Sequence, residues 1–281
     1  MKIIRIIIIY LVLLSPLMGQ QANLQSGLYI ATDLRGNFYP YIHGGGSIIL
    51  FYRFISDVFP GYIWEGIKTD VGIYDYISAE KNNFTLFVSS SISKYFDIDT
   101  KVAFNSYYTS AKRGLIVFDD KNASYNFDGI EKAHKESAFG FEVAIKPTLR
   151  YEFFENLFDG RGIILQVATT IKYAFANTDS EYYLDYDLLL LREFSDFSYE
   201  FDSLLLFNLS PMSVGVNYML GYVQNTKNIW HKLGIYANLR YDFFNRLYLD
   251  VNGKIGQYLY HTMYPGTLYF DVNTMISFKI L

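Results

Sequence analysis

Apolar and polar residues alternate along nearly the whole chain, most fully in its last segment, 267–280. Leu268, Phe270, Val272, Ile276, Phe278 and Ile280 share one face, which Thr274 alone interrupts. Tyr269, Asp271, Asn273, Ser277 and Lys279 occupy the other. Successive side chains of a strand point to opposite faces, so this segment is a ribbon with one greasy and one wet side. In a soluble sandwich the wet side would meet solvent. In a transmembrane barrel the greasy side meets lipid and the wet side lines a lumen.

The same reading gives candidate strands at 24–34, 43–54, 62–75, 84–94, 97–109, 138–152, 161–175, 181–191, 197–208, 213–223, 231–243, 247–258 and 267–280. In 138–152, Phe139, Phe141, Val143, Ile145, Pro147, Leu149 and Tyr151 oppose Glu142, Lys146, Thr148, Arg150 and Glu152. In 161–175, Ile163, Leu165, Val167, Ile171, Tyr173 and Phe175 oppose Gln166, Thr170 and Lys172. In 231–243, Leu233, Ile235, Ala237, Leu239, Tyr241 and Phe243 oppose Tyr236, Asn238, Arg240 and Asp242. The pattern is poorest at 43–75, where Ile48 to Tyr52 run together and Glu65 disturbs the next face. Charges recurring in mid-strand select the barrel. Arg150, Lys172, Arg240 and Lys254 can face a wet interior without desolvation, and a closed barrel leaves no unpaired edge in hydrocarbon.

An internal repeat bears on the strand count. Leu149–Phe158 matches Leu239–Tyr248 at six of ten positions, and Lys94-Tyr95-Phe96-Asp97 is a fainter copy. Each copy sits where one strand ends and the next begins almost at once, as the short periplasmic turns of barrels do. Turns on one side are separated by an even number of strands, so four are expected between the two copies. The segments above supply five. We therefore expect 197–208 and 213–223 to form one long strand with a one-residue bulge near Pro211, because their outward residues change from odd to even numbers. Twelve strands result, with fourteen as the alternative.

Composition adds location. Lys2 and Arg5 precede an apolar run from Ile6 to Leu14 and a polar zone ending at Gly19-Gln20, the pattern of a cleaved signal peptide over 1–19. Later apolar runs fall short of the roughly 18 residues that a spanning helix needs. The chain has no cysteine, which excludes disulfides and a lipid-modified N-terminal cysteine. Aromatic residues make up 19% of it, and 27 of them are Tyr, a residue that collects where hydrocarbon meets water. Residues 1–19 carry two of the 24 basic residues and none of the 28 acidic ones, so the remainder stands at net −6 and offers nothing to nucleic acid.

These features make residues 20–281 resemble the outer-membrane β-barrel proteins of Gram-negative type, with no subfamily identified. The resemblance implies an all-β, up-and-down antiparallel transmembrane barrel in the cell outer membrane, built as one domain. It also implies outer-membrane lipids as surroundings and the barrel-insertion machinery as a partner that reads the last strand. Members commonly end on an aromatic residue. This chain ends Phe278-Lys279-Ile280-Leu281, with its aromatic three places in. The longest irregular stretch, 110–137, reads as a large extracellular loop that folds over the pore, binds a partner or stays mobile.

Catalytic patterns are thin. His43-Gly44-Gly45-Gly46 copies an esterase oxyanion segment, yet the chain lacks G-x-S-x-G, and glycines thinning a barrel wall account for it. His43, His134, His231 and His261 have no signature neighbours, and no metal or cofactor pattern is present. The inward charges are the remaining clue. The candidate lumen-lining residues are Lys101, Glu142, Lys146, Arg150, Lys172, Arg240, Asp242, Lys254 and Asp271, with Asp70, Asp99, Asp185 and Asp187 as further inward acids. Both signs are interleaved, which predicts a narrow passive channel for small polar solutes with weak charge selectivity. The alternatives are a plugged structural or adhesion barrel acting through its extracellular loops and, second, an outer-membrane hydrolase.

Overall fold

The computed structural model describes residues 26–39, 43–56, 67–109, 114–153, 162–209, 211–243 and 246–281. The expected signal segment at 1–19, Glu65, and positions 154–158 and 244–245 of the repeated segments lie outside them. Twelve antiparallel strands close into a barrel. They are β1 (Gly27–Tyr39), β2 (His43–Ser56), β3 (Ile67–Ser78), β4 (Lys81–Ser93), β5 (Phe96–Tyr107), β8 (Ala138–Phe153), β9 (Gly162–Asn177), β12 (Ser195–Asn208), β13 (Met212–Val223), β14 (Ile229–Phe243), β15 (Leu247–His261) and β16 (Leu268–Lys279). The remaining strands, β6 (Leu115–Phe118), β7 (His134–Glu136), β10 (Tyr182–Asp185) and β11 (Leu190–Glu193), form a separate four-stranded sheet in the order β11-β10-β6-β7. A short helix, Phe127–Lys132, capped by the Asn126 side chain, accompanies it.

Closure follows from alternation. β16 pairs with β1 from Lys279↔Tyr29 to Phe270↔Tyr39, so no edge is left open. The strands run 12–16 residues, longer than the roughly 9–11 that cross hydrocarbon, so their ends project beyond the apolar belt. Outward positions are apolar and exposed, as Leu34, Ile48, Phe104, Phe139, Ile235 and Leu268 show. Aromatic pairs gather at one end of the barrel: Tyr52 with Phe54, Tyr151 with Phe153, and Tyr241 with Phe243. They supply the amphipathic rings of an interfacial girdle.

The run Ile48 to Tyr52 resolves once both faces are seen. Ile48, Leu50 and Tyr52 point to lipid. Ile49 and Phe51 turn inward and pack with Tyr29 and Ala31 in a lumenal apolar cluster. Phe51 stacks on Tyr29 with ring centroids 5.1 Å apart. Gly45 of the glycine run sits where a Cβ would strike the Tyr76 ring at 2.7 Å, so the missing side chain admits that ring against the wall.

The total of twelve is as expected, but the excluded segment is a different one. Segments 197–208 and 213–223 are separate strands, β12 and β13, joined at 209–211 by a turn in which the Leu209 N–H donates to the Met212 carbonyl. Their register pairs Phe207 with Val214 and Tyr199 with Tyr222. Each pair therefore joins an odd to an even number, and the parity change arises from the turn without any bulge. Segment 181–191 is the one that leaves the wall, as the hairpin β10–β11. Stretch 110–137 is structured where described, contributing β6, the helix and β7.

Candidate functional site in the lumen

The hairpin β10–β11 leaves the wall at the β9–β12 seam and reaches the strands opposite. Its base is tied by the Phe194 N–H donating to the Glu181 carbonyl and the Ala176 N–H donating to the Phe194 carbonyl. Leu184 and Leu191 pack with Ile116, Phe118, Tyr125 and Ile130, giving the inner sheet an apolar core of its own. Tyr183 packs with Leu115 and Val117 against Tyr107, Ala138 and Ala176 of the barrel wall. Leu188 and Leu190 bury against Val223, Trp230, Tyr258 and Tyr269 of β13, β14, β15 and β16. On another wall, Tyr186 stacks on His43 of β2 at 5.6 Å.

Charged contacts fix the hairpin as well. Asp185 lies 3.1 Å from Lys172 of β9 and 2.7 Å from Arg192 of β11, with all three side chains buried. It also accepts hydrogen bonds from the Asp187 and Leu188 amides, closing the tip turn. Arg192 donates to the Ser198 hydroxyl and the Asp196 carbonyl, tying β11 to β12. Asp187 meets Lys81 of β4 at 3.3 Å, and its side chain stays 47% exposed to the water of the lumen. Burial raises the Asp185 carboxyl, but the cations of Lys172 and Arg192 outweigh that and hold it down at about 2. Lys81, ahead of the opposing effect of burial, holds Asp187 well below the usual carboxylate range. Removing one partner of a fully buried pair, as Asp185 forms with Lys172 and Arg192, costs about 3–5 kcal/mol.

Beneath the hairpin tip lies a cavity of about 310 Å³. It is bounded by Asp187 and Tyr186 of the tip turn and by residues of the surrounding strands, including Arg35, Lys81, Lys101, Glu142, Lys254 and Asp271. Arg35 lies over the rings of Tyr74 and Tyr76 and pairs with Asp33. Asn83 donates to Asn105, which donates to Glu142, so a line of buried polar groups crosses β4, β5 and β8. Lys232 also borders the cavity, and its ammonium is held 4.4, 4.7 and 5.2 Å from the ring centroids of Trp230, Tyr258 and Tyr269.

Of the nine candidates, the structure places Lys101, Glu142, Lys254 and Asp271 around this cavity. Lys172 lies under the hairpin beside Asp185. Lys146 sits opposite Asp99 in the β5–β8 register. Arg150 pairs with Asp97 at 3.1 Å, and Arg240, largely exposed, pairs with Asp250 at 2.6 Å. Asp242 stands opposite Tyr248, near the end of β14. The further acids divide: Asp70 pairs with Arg53 on the wall, whereas Asp185 and Asp187 belong to the inner hairpin. Sequence reasoning did not single out Arg35, Lys81, Arg192 or Lys232. Each is a charge at an inward-facing or fully buried position, but alternation alone does not say which partner meets it.

A closed ring of twelve antiparallel strands, apolar outside and charged within, defines a transmembrane β-barrel of the outer-membrane type. No protein-family model and no curated protein sequence matches the chain. Among solved structures it is similar to the outer membrane channel COG4313 from Pseudomonas putida F1, at 9% identity and TM-score 0.47, covering 93% of this chain and 98% of that one. It is similar to the translocator domain of the autotransporter NalP from Neisseria meningitidis, at 7% identity and TM-score 0.45, covering 96% and 94%. It is also similar to the NanC porin, at 6% identity and TM-score 0.38, covering 89% and 100%. At these identities and TM-scores, the fold rests on the strand pairing of the chain itself.

Proposed function

We propose that the protein is a narrow passive channel of the cell outer membrane for small polar solutes, with weak charge selectivity. The observation that carries this reading is the mid-lumen cavity, which is bordered by Arg35, Lys81, Lys101, Lys232 and Lys254 on the basic side and by Glu142, Asp187, Glu200 and Asp271 on the acidic side. A constriction selects strongly when it carries a ring of one sign, and five bases against four acids do not make one. On this reading the belt faces outer-membrane lipids, and β16 is the strand presented to the insertion machinery. We assign the barrel no catalysis. Each histidine involved in a side-chain contact here has a structural partner: His43 meets Glu80, His231 meets Tyr218, and His261 accepts from the Met263 and Tyr264 amides.

A second reading, a plugged barrel acting through its extracellular surface, is favoured by the apolar core of the inner sheet. Planar-bilayer recording of the purified protein separates the two. The channel reading expects small conductance steps with a cation-to-anion permeability ratio near one. A folded, heat-modifiable barrel that stays silent at every voltage decides for the plugged barrel.

A further inference from the structure

We propose that the hairpin Tyr182–Glu193 is a crossbar hinged at the β9–β12 seam, latched across the lumen by its two aspartates and released as a unit by acid. The channel reading above supplies the consequence of release, but the latch itself stands on the hairpin's contacts.

Three features mark a movable bar in place of a fixed wall. The barrel does not need the hairpin for closure, because β9 and β12 pair directly from Phe175↔Ser195 to Gly162↔Asn208. The hairpin's backbone link to the rest of the inner sheet is short, two residue pairs, Tyr182↔Phe118 and Tyr183↔Val117, and beyond it Leu184, Tyr186 and Leu191 join that sheet through side-chain packing. Its far end is held without strand pairing: Tyr186 on His43, Asp187 on Lys81, Leu188 and Leu190 on the opposite strands, and the Leu189 backbone bonded to the His261 ring. Leu189 takes a left-handed backbone, φ 55°, to turn the tip.

The charges around the tip set the direction of release. Asp185 is faced by Lys172 from β9 and Arg192 from β11, with Lys81 of β4 and Asp187 farther off. Asp187 is faced by Lys81, Lys172, His43 of β2 and Lys101 of β5, and it acts in turn on Arg35 of β1 and Tyr76 of β3. Glu142 of β8 is the remaining acid facing Lys81, Lys101 and Lys172. Both aspartates are held below their ordinary value of 3.8 when docked. Groups depressed in this way stabilise the docked state above that value, and the contribution is lost as pH falls toward the docked pKa, about 2 for Asp185. Once protonated, they leave Lys81, Lys101, Lys172 and Arg192 around the tip with Glu142 and, beside Arg192, Asp196 to offset them, so cations outnumber anions there and undocking is favoured.

The test uses the full-length barrel, which has no cysteine of its own. Leu188→Cys places a thiol at a fully buried position of the bar itself, where the tip meets the opposite strands. Its labelling by an impermeant reagent at neutral pH should quicken on the order of tenfold or more when Asp185→Asn and Asp187→Asn are added, since those changes strand buried cations. Heat-modifiable migration verifies that the barrel itself stays folded. In bilayers, conductance should rise reversibly as pH drops to about 3. That rise should vanish when His43→Cys and Tyr186→Cys are joined by a short reducible linker, and return on reduction. Slow labelling in both backgrounds, or conductance indifferent to the linker, overturns the crossbar and leaves the channel standing. Faster labelling with no conductance in any state upholds the latch and removes the channel reading.

Discussion

Lys232 reaches from β14 toward rings from three strands, and two local details let it do so. Gly221 of β13 lies where a Cβ would meet the Trp230 indole at 2.4 Å, so only a bare backbone lets that ring lie flat. In the pairing of β14 with β15 the register slips between His231 and Lys232, so that His231 faces Tyr260 while Lys232 faces Tyr258. Without the slip, Tyr258 would be displaced from the ammonium. Alternation makes Lys232 legible as an inward residue. The ring around it is not legible, because it depends on a bulge that leaves no mark in the hydrophobic pattern. Gly221→Ala should cost about 1–3 kcal/mol by overpacking, and Lys232→Met about 1–2 kcal/mol by deleting the desolvated cation–π contacts. In a Trp64→Phe background, Trp230 reports both through the urea midpoint of its emission. An unchanged midpoint in Gly221→Ala would mean that the indole does not rest on β13.

At the scale of elements, the hairpin shows where periodicity misleads. Tyr182–Glu193 has the length of a strand, and its first half carries Tyr and Asp residues that suit a wall. Yet Leu188, Leu189, Leu190 and Leu191 run together, and all four are buried. An element covered on both sides reads as a continuous apolar run, whereas a lipid-facing strand alternates. That run was the available signal. The parity of the repeated turn segments constrained how many strands lie between them, four, without saying which segment stands outside the wall. The turn at 209–211 stayed hidden because Pro211 suits a bulge and a turn equally well. A consequence can be measured. Replacing Tyr182–Glu193 with a short Gly-Ser linker should leave a barrel that folds in detergent, migrates heat-modifiably and passes larger currents, since β9 and β12 already pair along 14 residues. Loss of heat-modifiability in this variant would show that the hairpin is needed to close the barrel.

The whole molecule must take one orientation, and the strand count fixes which loops share a side. β1 and β16 pair at the seam with the N-terminal residues of β1 beside the C-terminal end of β16, where the Leu28 N–H donates to the Leu281 carbonyl. Both ends of the described barrel therefore lie on one side, together with the turns around 94–95, 209–211 and 246. The inner sheet, the Asn122 turn and the loop at 262–267 lie on the other. Short turns face the periplasm and longer connections face outward in barrels of this type. Asn122 is exposed and hydrogen-bonded only to Asp120 among the described contacts, and Arg246 is exposed in its turn. Single cysteines at these positions suit labelling because neither side chain holds the fold. An impermeant thiol reagent given to intact cells should modify Asn122→Cys alone, and Arg246→Cys should react after the outer membrane is breached. Reaction at 246 with protection at 122 would invert the barrel, placing the crossbar at the periplasmic mouth. Reaction at both positions in intact cells would contradict the strand pairing, because five barrel strands, β8, β9, β12, β13 and β14, lie between them and an odd number of crossings places them on opposite sides.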